Sequence, residues 1–337
     1  MNNLRTRDLL QWLESHFPAE NISLIPLTGD AGFRRYFRFH NHNQSQCYIA
    51  VDAPVKLSNN QAFVDVQKIL QDLGVNVPNI IAADLEAGFL CQSDFGNTVL
   101  AERLTSENMQ HYYANAIIEL SKMLKCKAAV VAKLPDYNAA FILTELAIFS
   151  EWLLEKHLGI YLTADEKITL SACFDVLVSA IIAQPKVFMH RDYHSRNIML
   201  SADDKLGVID FQDAVKGPVI YDLVSLLKDC YVRWPKQLIT PLMEDYRQQV
   251  QDYFPDENLS KEKWQYWFDL TGLQRHIKAS GIFARLHHRD NKSGYLADIP
   301  LTLTYIQDVS AQYDKLSFLH ELVTKRVIPA VNKRSGF

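Results

Sequence analysis

The segment of this sequence best suited to chemistry carries three polar side chains, Asp192, Asn197 and Asp210. A short apolar run follows Asn197, another precedes Asp210, and a polar turn separates the two runs, which is the pattern of a β-hairpin. If Leu200 pairs with Leu206, Asn197 comes within one residue of Asp210 across the hairpin. The sequence therefore predicts that an amide and a carboxylate meet at one end of the hairpin, with Asp192 in the loop that leads into it.

This grouping of oxygen atoms suits phosphoryl transfer from a magnesium nucleotide. Mg²⁺ prefers oxygen ligands and shares its shell with phosphates and water, so Asn197 and Asp210 are the predicted metal ligands. Asp192 is the predicted catalytic residue, which orients an acceptor hydroxyl and takes its proton. Protein kinases carry the pattern H-R-D-L-x-x-x-N, and this chain keeps the Asp-to-Asn spacing with Tyr193 at the fourth position. We expect His190 to hold this loop by a hydrogen bond.

A turn near the N-terminus is a candidate phosphate-binding loop. Residues 27–33 read LTGDAGF, and the backbone N–H groups around Gly29 and Asp30 could contact phosphates. The motif is weak because it has neither the G-x-G-x-x-G nor the P-loop pattern. An ordinary hairpin turn is the alternative interpretation.

The positive charge that would clamp the nucleotide phosphates is not evident. Kinases usually place a Lys on the third strand, paired with a Glu on the next helix. The matching strand, residues 48–52, has no Lys. Arg35 is the predicted nucleotide-binding cation, and Arg38 or Lys56 could supply the charge instead.

The composition fits a globular chain of about two domains and excludes several classes. The 337 residues are 48% hydrophobic and carry a net charge of −4, which gives no basic field for nucleic-acid binding. No apolar run approaches the roughly 18 residues of a membrane span. Five cysteines without CxxC spacing favour a reducing compartment over a disulfide framework. We expect a cytoplasmic monomer with a small-molecule partner and neither nucleic-acid nor membrane partners.

Hydrophobic patterns divide the chain into a strand-bearing first part and a helical remainder. Up to residue 95 they predict a helix ended by Pro18, a helix ended by Gly74 and four short strands. Most of the remainder has helical periodicity, with Gly159 as one stop signal. The predicted later elements are helices over 104–132, 144–158 and 164–183 and a strand-rich insert over 187–209. These patterns indicate an α+β fold.

Several motifs together resemble the aminoglycoside phosphotransferase family, whose members are relatives of protein kinases. More narrowly, the chain is similar to the bacterial cell-wall-recycling amino-sugar kinases. The resemblance implies ATP-dependent phosphorylation of N-acetylmuramate or N-acetylglucosamine at the anomeric hydroxyl, with ATP and Mg²⁺ as cofactors. The motifs are GDAGFRRYFRF, VDAP, GVNVPNI, QSDFGN, HRDYHSRNIM, IDFQDAVKGPVIYDLVSLLKDCY and GIFARLHHRD.

The same resemblance implies a protein-kinase-like fold with two lobes. A small antiparallel-sheet lobe would cover residues 1–95, a larger helical lobe residues 96–337, and ATP would lie between them. A hinge over residues 92–96 would present the backbone groups of Gln92 to Asp94 to the adenine. Asp94 begins a D-F-G triplet, but the triplet precedes the HRD-like segment and so cannot supply the metal ligand. Asp222 would brace the catalytic loop, and it also suits the N-terminus of a helix.

Candidate acceptor-site residues lie in the helical part. Aromatic rings stack on sugars, and Arg binds carboxylates through a two-pronged contact, so Arg233, Trp234 and Arg275 could recognise the lactyl carboxylate of N-acetylmuramate. Core packing is the alternative for the aromatic residue. Glu145 lies on a helix that could border the acceptor, or it is simply solvated.

Two rival functions remain open at the sequence level. The first is a kinase for another small alcohol, such as an aminoglycoside, choline or homoserine. The second is a nucleotide-binding pseudokinase, which the absent strand Lys and helix Glu would explain. An acidic acceptor pocket would favour a cationic substrate, whereas an Arg-bearing pocket favours the sugar acid.

Overall fold

The structure is a computed structural model that describes residues 2–17, 21–27, 33–41, 46–201 and 203–335. The predicted loop residues Gly29 and Asp30 lie outside these ranges. Contact clustering divides the chain into two compact units. Unit 1 comprises residues 1–104 and 195–213, and unit 2 comprises residues 105–194 and 214–337.

Up to residue 104, the described residues form two helices, five strands and a short 3₁₀ turn. Asn59 caps α2 by accepting a hydrogen bond from the Ala62 N–H, and Gly74 follows the helix with φ +75°. In chain order the elements are α1 (Asn2–His16), β1 (Ile25–Pro26), β2 (Arg35–Asn41), β3 (Gln46–Asp52), α2 (Asn60–Asp72), β4 (Ile80–Asp84), β5 (Phe89–Ser93) and the 3₁₀ turn Leu100–Glu102.

The rest of the chain is mostly helical and carries four short strands. The elements up to residue 227 are α3 (Met109–Leu124), α4 (Ala128–Val131), α5 (Ala139–Ile148), the π-helix Phe149–Leu158, α6 (Ala164–Ile182), β6 (Lys186–Met189), the 3₁₀ turn Ser195–Asn197, β7 (Ile198–Leu200), β8 (Leu206–Val208), β9 (Val215–Pro218) and α7 (Tyr221–Leu227). The later elements are α8 (Lys236–Tyr253), α9 (Lys261–Asp290), the 3₁₀ turns Ser293–Asp298 and Asp314–Leu316, α10 (Ile299–Ser310), α11 (Ser317–Leu322), the π-helix Val323–Val327 and α12 (Ile328–Ser335).

Unit 1 is built on an antiparallel sheet of five strands in the order β1-β2-β3-β5-β4. Leu9 and Leu13 of α1 pack on one face of the sheet with Phe37 and Phe39 of β2. At the end of β3, the fully buried Asp52 carboxylate forms ion pairs with Arg5 and Arg35, because a buried charge is costly unless it is paired. The predicted strands of this region are confirmed.

The hairpin β7–β8 belongs to the same unit and is attached to it by hydrogen bonds with Asn76. The Asn76 side chain donates to the Leu206 carbonyl at 2.7 Å, and the Val208 N–H donates to the Asn76 carbonyl at 2.8 Å. Gly207 allows a close approach, since a Cβ there would lie 2.5 Å from the Phe95 ring. These contacts fix the position of the hairpin on unit 1.

Unit 2 is organised around the 30-residue helix α9. Helix α5 continues without a break into the π-helix Phe149–Leu158, which Gly159 ends at φ +68°. A Cβ on Gly281 of α9 would lie 2.6 Å from the Phe149 nitrogen, so the two helices meet backbone to backbone. The sequence predicts one helix over 144–158, and the structure confirms the stop at Gly159 but widens the helical turns after residue 148.

Two short strands and helix α7 support the catalytic segment in unit 2. Strand β6 pairs antiparallel with β9, and its last residue, Met189, precedes the HRD-like loop. Every residue of α7 is buried. Across the described part of the chain, no helix is both long and apolar enough to cross a bilayer.

Candidate active site

The hairpin of unit 1 brings Asn197 and Asp210 together in the predicted register. Leu200 pairs with Leu206, and the Ile209 N–H donates to the Asn197 carbonyl at 3.1 Å. The Asn197 Nδ2 atom is 3.3 Å from Asp210 Oδ2. Gln212 donates to the other carboxylate oxygen of Asp210 at 2.8 Å. The predicted meeting of an amide and a carboxylate is therefore confirmed.

The backbone of Asp210 is strained. Its φ is +63°, and only four non-glycine residues among those described have positive φ. Such conformations cost of order 1–3 kcal/mol and persist only where the surroundings enforce them. The side chain of Asp210 is exposed, and the positive φ fixes the direction in which it leaves the backbone.

Arg34 and Tyr36 share the electrostatic surroundings of Asp210. Burial raises the pKa of Tyr36 to about 12, the Arg34 charge opposes the rise, and the Asp210 charge adds to it. The Arg34 guanidinium lies 5.4 Å from the centre of the Phe63 ring, and that ring packs 5.0 Å from Phe211, the residue after Asp210. Arg34 and Asp210 therefore both act electrostatically on Tyr36.

Arg34 is also incompletely satisfied. Its Nη2 atom donates to the Asn59 carbonyl at 3.3 Å, while its buried Nε has no hydrogen-bond partner among the described residues. Sequence reasoning missed this residue, because the run Arg34-Arg35-Tyr36 gives no signal for which arginine faces the hairpin.

The two arginines that the sequence favoured are both held by carboxylates. Arg35 pairs with Asp52, as described above. Arg38 forms two hydrogen bonds with Asp94, of 2.5 and 2.9 Å. Lys56 lies exposed in the turn after β3. Arg35 and Arg38 therefore each neutralise a carboxylate other than Asp210.

The hinge segment is a tight turn at the end of β5. Asp94 accepts a hydrogen bond from the Gly96 N–H at 2.8 Å, and Gly96 has φ +90°. The Asp94 side chain therefore stabilises the turn and pairs with Arg38. Gln92, two residues earlier, is buried, and its side-chain oxygen has no hydrogen-bond partner among the described residues.

The HRD-like loop in unit 2 is braced by Asp222 at the start of α7. The Asp222 carboxylate accepts hydrogen bonds from the backbone N–H groups of His190 and Arg191 at 2.7 and 2.9 Å. The Asp192 N–H donates to His190 Nδ1 at 3.3 Å, so His190 holds the loop by a hydrogen bond, as expected, and is the acceptor of that bond. Burial raises the pKa of Asp222 to about 7, and the two N–H donors oppose the rise.

Arg191 has a left-handed backbone and an anchored side chain. Its φ is +81°, and its guanidinium donates to Glu145 at 2.9 Å. The side chain also covers the Phe141 ring at 4.9 Å. This strained residue directly precedes Asp192, so the loop is fixed on the N-terminal side of the predicted catalytic carboxylate.

Glu145 is a buried anchor for two cations. Only 4% of the residue is exposed, which excludes the solvated alternative. Its Oε1 atom is 2.9 Å from both Arg191 and Lys278, and its Oε2 atom accepts from Tyr137 at 2.6 Å and Gln274 at 3.0 Å. Burial opposes ionisation, but the two cations outweigh it and lower the pKa of Glu145 to about 2. Both oxygens therefore serve the protein itself.

The same cations act on Asp192. Burial tends to raise the pKa of Asp192, but the charges of Lys278 and Arg191 overcome that effect and leave the pKa lowered. The carboxylate is therefore ionised at neutral pH and able to accept a proton. Sequence reasoning missed Lys278, although a Lys within the apolar pattern of a buried helix is a signal that could have found it.

The remaining acceptor-site candidates are placed differently from one another. Arg275 is buried, with Nη1 lacking a hydrogen-bond partner in the described structure, and lies over the Tyr221 ring at 5.4 Å. Arg233 is exposed and bonded to Asp308 at 2.5 Å. Trp234 donates to the Tyr113 hydroxyl at 3.2 Å. Of the three, Arg275 has unused hydrogen-bonding capacity, and its positive charge is within electrostatic reach of Asp192.

Curated relatives match this chain over most of its length. A protein of Pseudomonas putida strain KT2440 is 39% identical over 303 residues, which cover 90% of this chain and 88% of the relative. A protein of Neisseria meningitidis serogroup B is 35% identical over 321 residues, covering 95% of each chain. Both carry the name N-acetylmuramate/N-acetylglucosamine kinase.

Solved structures share the fold at low sequence identity. Choline kinase LicA from Streptococcus pneumoniae aligns with a TM-score of 0.61 and 15% identity, covering 91% of this chain and 99% of that one. The ADP-bound aminoglycoside phosphotransferase APH(2'')-Ib aligns with a TM-score of 0.57 and 12% identity, covering 90% and 98%. The expected protein-kinase-like α+β fold is thereby confirmed.

The family itself follows from the sequence match. The profile of APH, the phosphotransferase enzyme family, matches residues 23–258, well over half of the chain. With the two relatives above 30% identity, this match agrees with the resemblance inferred from the motifs. The chain therefore belongs to the APH phosphotransferase enzyme family.

Proposed function

We propose that this protein is an ATP-dependent kinase that phosphorylates the anomeric hydroxyl of N-acetylmuramate and N-acetylglucosamine in cell-wall recycling. The observation that carries the proposal is the hairpin register, which joins Asn197 to Asp210 at the end of the HRD-like segment. The names of the curated relatives supply the substrate class. We further propose a cytoplasmic monomer with a nucleotide-binding lobe over residues 1–95 and a hinge at 92–96.

Asn197 and Asp210 are the proposed ligands of Mg²⁺. The donor set fits the ion, because an amide oxygen and a carboxylate are the hard ligands that Mg²⁺ prefers. Asp210 is exposed, and its named hydrogen-bond partners are the amides of Asn197 and Gln212. When bound, the ion supplies positive charge to the nucleotide phosphates.

Asp192 is the proposed catalytic base. Its lowered pKa leaves the carboxylate ionised, so it can accept a hydrogen bond from the acceptor hydroxyl and then its proton as the phosphoryl group transfers. The anomeric hydroxyl is more acidic than an ordinary alcohol, so a late proton transfer to a carboxylate is sufficient. Asp222 and His190 hold the loop and act through Asp192 as positioning residues.

Arg34 is our candidate for the charge that a strand Lys provides in other kinases. It has an unpaired buried Nε and lies in the electrostatic surroundings of Asp210. Gln92, with its unpaired buried oxygen, could accept a hydrogen bond from the base of the nucleotide. Gly29, Asp30, Arg35 and Asp94 remain proposals for the nucleotide site.

Arg275 is the best placed of the acceptor candidates. A guanidinium with a buried unpaired Nη1 leaves an unsatisfied donor that a carboxylate would neutralise. The lactyl carboxylate of N-acetylmuramate is such a group. Glu145 holds Arg191 and Lys278 and is therefore a positioning residue, while Arg233 and Trp234 are proposed only as outer contacts.

Phosphorus NMR of the products tests the proposed function. Incubation with ATP, Mg²⁺ and either amino sugar should yield a sugar 1-phosphate. A 1-O-methyl glycoside should bind competitively without turnover, because the reacting hydroxyl is blocked. A 6-deoxy analogue should still be phosphorylated. Turnover of the methyl glycoside together with failure of the 6-deoxy sugar would refute the anomeric assignment.

The rival functions give different results in the same experiment. A pseudokinase, which the absent strand Lys would explain, would bind nucleotide and yield no phosphorylated product from any acceptor. A kinase for another small alcohol would leave both amino sugars unchanged but phosphorylate choline, homoserine or an aminoglycoside. Either result would replace the amino-sugar assignment.

Asp192→Asn tests the catalytic role. The substitution keeps the size of the side chain but removes the proton acceptor, so kcat should fall by roughly 10²–10⁴-fold while nucleotide affinity stays within about twofold. Calorimetric titration with Mg-ATP checks the second expectation. A variant that keeps more than a tenth of the wild-type kcat would remove Asp192 from the mechanism.

A further inference from the structure

A cluster of three histidines lies in unit 2. Among the described residues, no recorded contact joins this cluster to the proposed catalytic residues. His157 is buried near the end of the π-helix Phe149–Leu158, and His287 and His288 are in the last turn of α9. One ligand atom from each histidine can be chosen so that all three lie within 4.8 Å of one another. Within the described part of the chain, this is the one such group of histidine, cysteine or acidic side chains.

We propose that His157, His287 and His288 form a binding site for a divalent transition-metal ion, with Zn²⁺ as its representative. Three imidazole nitrogens are a recurrent protein ligand set for Zn²⁺, with water in the fourth position. The site goes beyond the proposed kinase reaction and uses none of its residues.

The atomic spacing is close to that of a bound ion. His157 Nδ1 lies 3.1 Å from His288 Nε2, and two nitrogens on one tetrahedral Zn²⁺ at about 2.05 Å are roughly 3.3 Å apart. The widest separation in the cluster, at most 4.8 Å, must shrink by about 1.5 Å. Rotation of His288, which is exposed, and of the half-buried His287 can supply that movement.

Neighbouring groups orient the ligands and keep them ready to bind. His287 Nδ1 is 3.0 Å from the Ser293 hydroxyl, the type of outer contact that fixes a metal-binding imidazole through its second nitrogen. Burial, assisted by Arg334, lowers the pKa of His157 to about 4, and burial with His287 also lowers the pKa of His288. These two imidazoles are therefore neutral at pH 7, as metal ligation requires.

The scaffold beneath the cluster is fixed. The close approach at Gly281 joins α9 to the start of the π-helix, so neither helix can shift along the other without a clash. The histidines come from the far ends of the same two elements. Neutral imidazoles beside Arg334 do not offset the charge of the ion, so we expect micromolar affinity. We also expect water or an anion to fill the remaining coordination positions of the ion.

Metal titration of the full chain tests the proposal. Protein stripped with a chelator and kept free of Mg²⁺ and nucleotide is titrated with Co²⁺, monitored by visible absorption, and with Zn²⁺, monitored by calorimetry. We expect one equivalent of each ion to bind in a histidine-dependent manner, with the intense visible bands of four- or five-coordinate Co²⁺.

Three variants and one control decide the outcome. His287→Ala and His288→Ala alter side chains that are not fully buried, and each should weaken binding by at least tenfold. Ser293→Ala should cost about tenfold through loss of the outer contact. His111→Ala removes an exposed histidine elsewhere and should change nothing. Absence of binding, or equal binding in the His287→Ala, His288→Ala and control proteins, would overturn the proposal.

Discussion

Asp210 of unit 1 and Glu145 of unit 2 are both carboxylates that the sequence singled out, yet their surroundings are opposite. Asp210 is exposed, strained at φ +63°, and hydrogen-bonded to the amides of Asn197 and Gln212. Glu145 is buried, and its oxygens contact Arg191, Lys278, Tyr137 and Gln274. The first carboxylate is open to solvent, whereas the second already neutralises two buried cations.

The difference separates the carboxylate that we propose as a metal ligand from a carboxylate that serves the protein structure. An amide neighbour orients a carboxylate without cancelling its charge, so its affinity for a cation survives. A buried carboxylate must instead be paired and fully hydrogen-bonded, because desolvation of an unpaired charge is expensive. Burial and the identity of the partners, rather than the residue type, therefore indicate which of the two carboxylates serves a ligand.

The largest effect should follow Asp210→Ala. Loss of the proposed metal ligand should lower kcat by at least about 1000-fold, or 4 kcal/mol in activation free energy, and abolish Mg²⁺-dependent nucleotide binding. Steady-state kinetics and calorimetric titration with Mg-ATP measure both.

Two variants serve as controls for Asp210→Ala. Asp203→Ala changes an exposed carboxylate in the turn of the same hairpin and should be silent. Asp94→Ala removes the partner of Arg38 and should retain Mg²⁺-dependent binding. Equal losses in the Asp94→Ala and Asp210→Ala proteins would mean that the metal ligand is not Asp210.

The next largest effect should be a loss of folding stability in the Glu145→Gln variant. The variant leaves Arg191 and Lys278 without their counter-charge, and breaking a buried ion pair is strongly destabilising. We expect the free energy of unfolding to fall by about 3 kcal/mol in urea denaturation at pH 7. A change below 0.5 kcal/mol would show that Glu145 does not anchor the network.

The same carboxylate predicts part of the acid sensitivity. Its pKa is about 2 in the folded protein against an ordinary value of 4.5. Because this pKa is lowered on folding, the ionised carboxylate stabilises the folded state fully above pH 4.5. That contribution to the free energy of unfolding is lost as the pH falls through about 2. Glu145→Gln should therefore lose less stability than the wild type over this window. Parallel curves of unfolding free energy against pH would contradict this assignment.

The smallest effect is expected for Lys278→Met. Removing this charge should raise the pKa of Asp192, so the acidic limb of the kcat profile should move to higher pH. At neutral pH, kcat should fall by less than about tenfold, or 1.4 kcal/mol. Lys278→Arg keeps the charge and should leave the limb in place. If the pH profile of kcat moves in neither variant, the charge of Lys278 does not control the pKa of Asp192.

Much of the fold and the centre of the site could be predicted from local sequence patterns. The pairing of Leu200 with Leu206 follows from two short apolar runs around a polar turn, and it determines where Asn197 and Asp210 meet. Strands β2 and β3 and the end of the π-helix at Gly159 follow from equally local signals. Such features depend on residues close together in the chain.

Features that depend on contacts between residues far apart in the chain could not be predicted from local sequence patterns. Arg34, Arg35 and Arg38 are equivalent in type, and the long-range partners Asp52 and Asp94 determine which two are occupied. Lys278 lies 133 residues after Glu145, so no spacing rule links them. The π-helical turns were also not predicted, because the apolar pattern of residues 144–158 suits an ordinary α-helix.

The positive φ at Arg191 has a consequence for sequence variation at that position. Asp204, in the hairpin turn, has a similar backbone with φ +64° and an exposed side chain. In a saturation mutagenesis library, position 204 should accept Gly and Asn readily, because these residues adopt this conformation at little cost. Position 191 should reject Gly, although Gly suits its backbone equally well, because the guanidinium bonded to Glu145 would be lost. At residue 191 the side chain, rather than the backbone conformation, should therefore decide which substitutions are accepted.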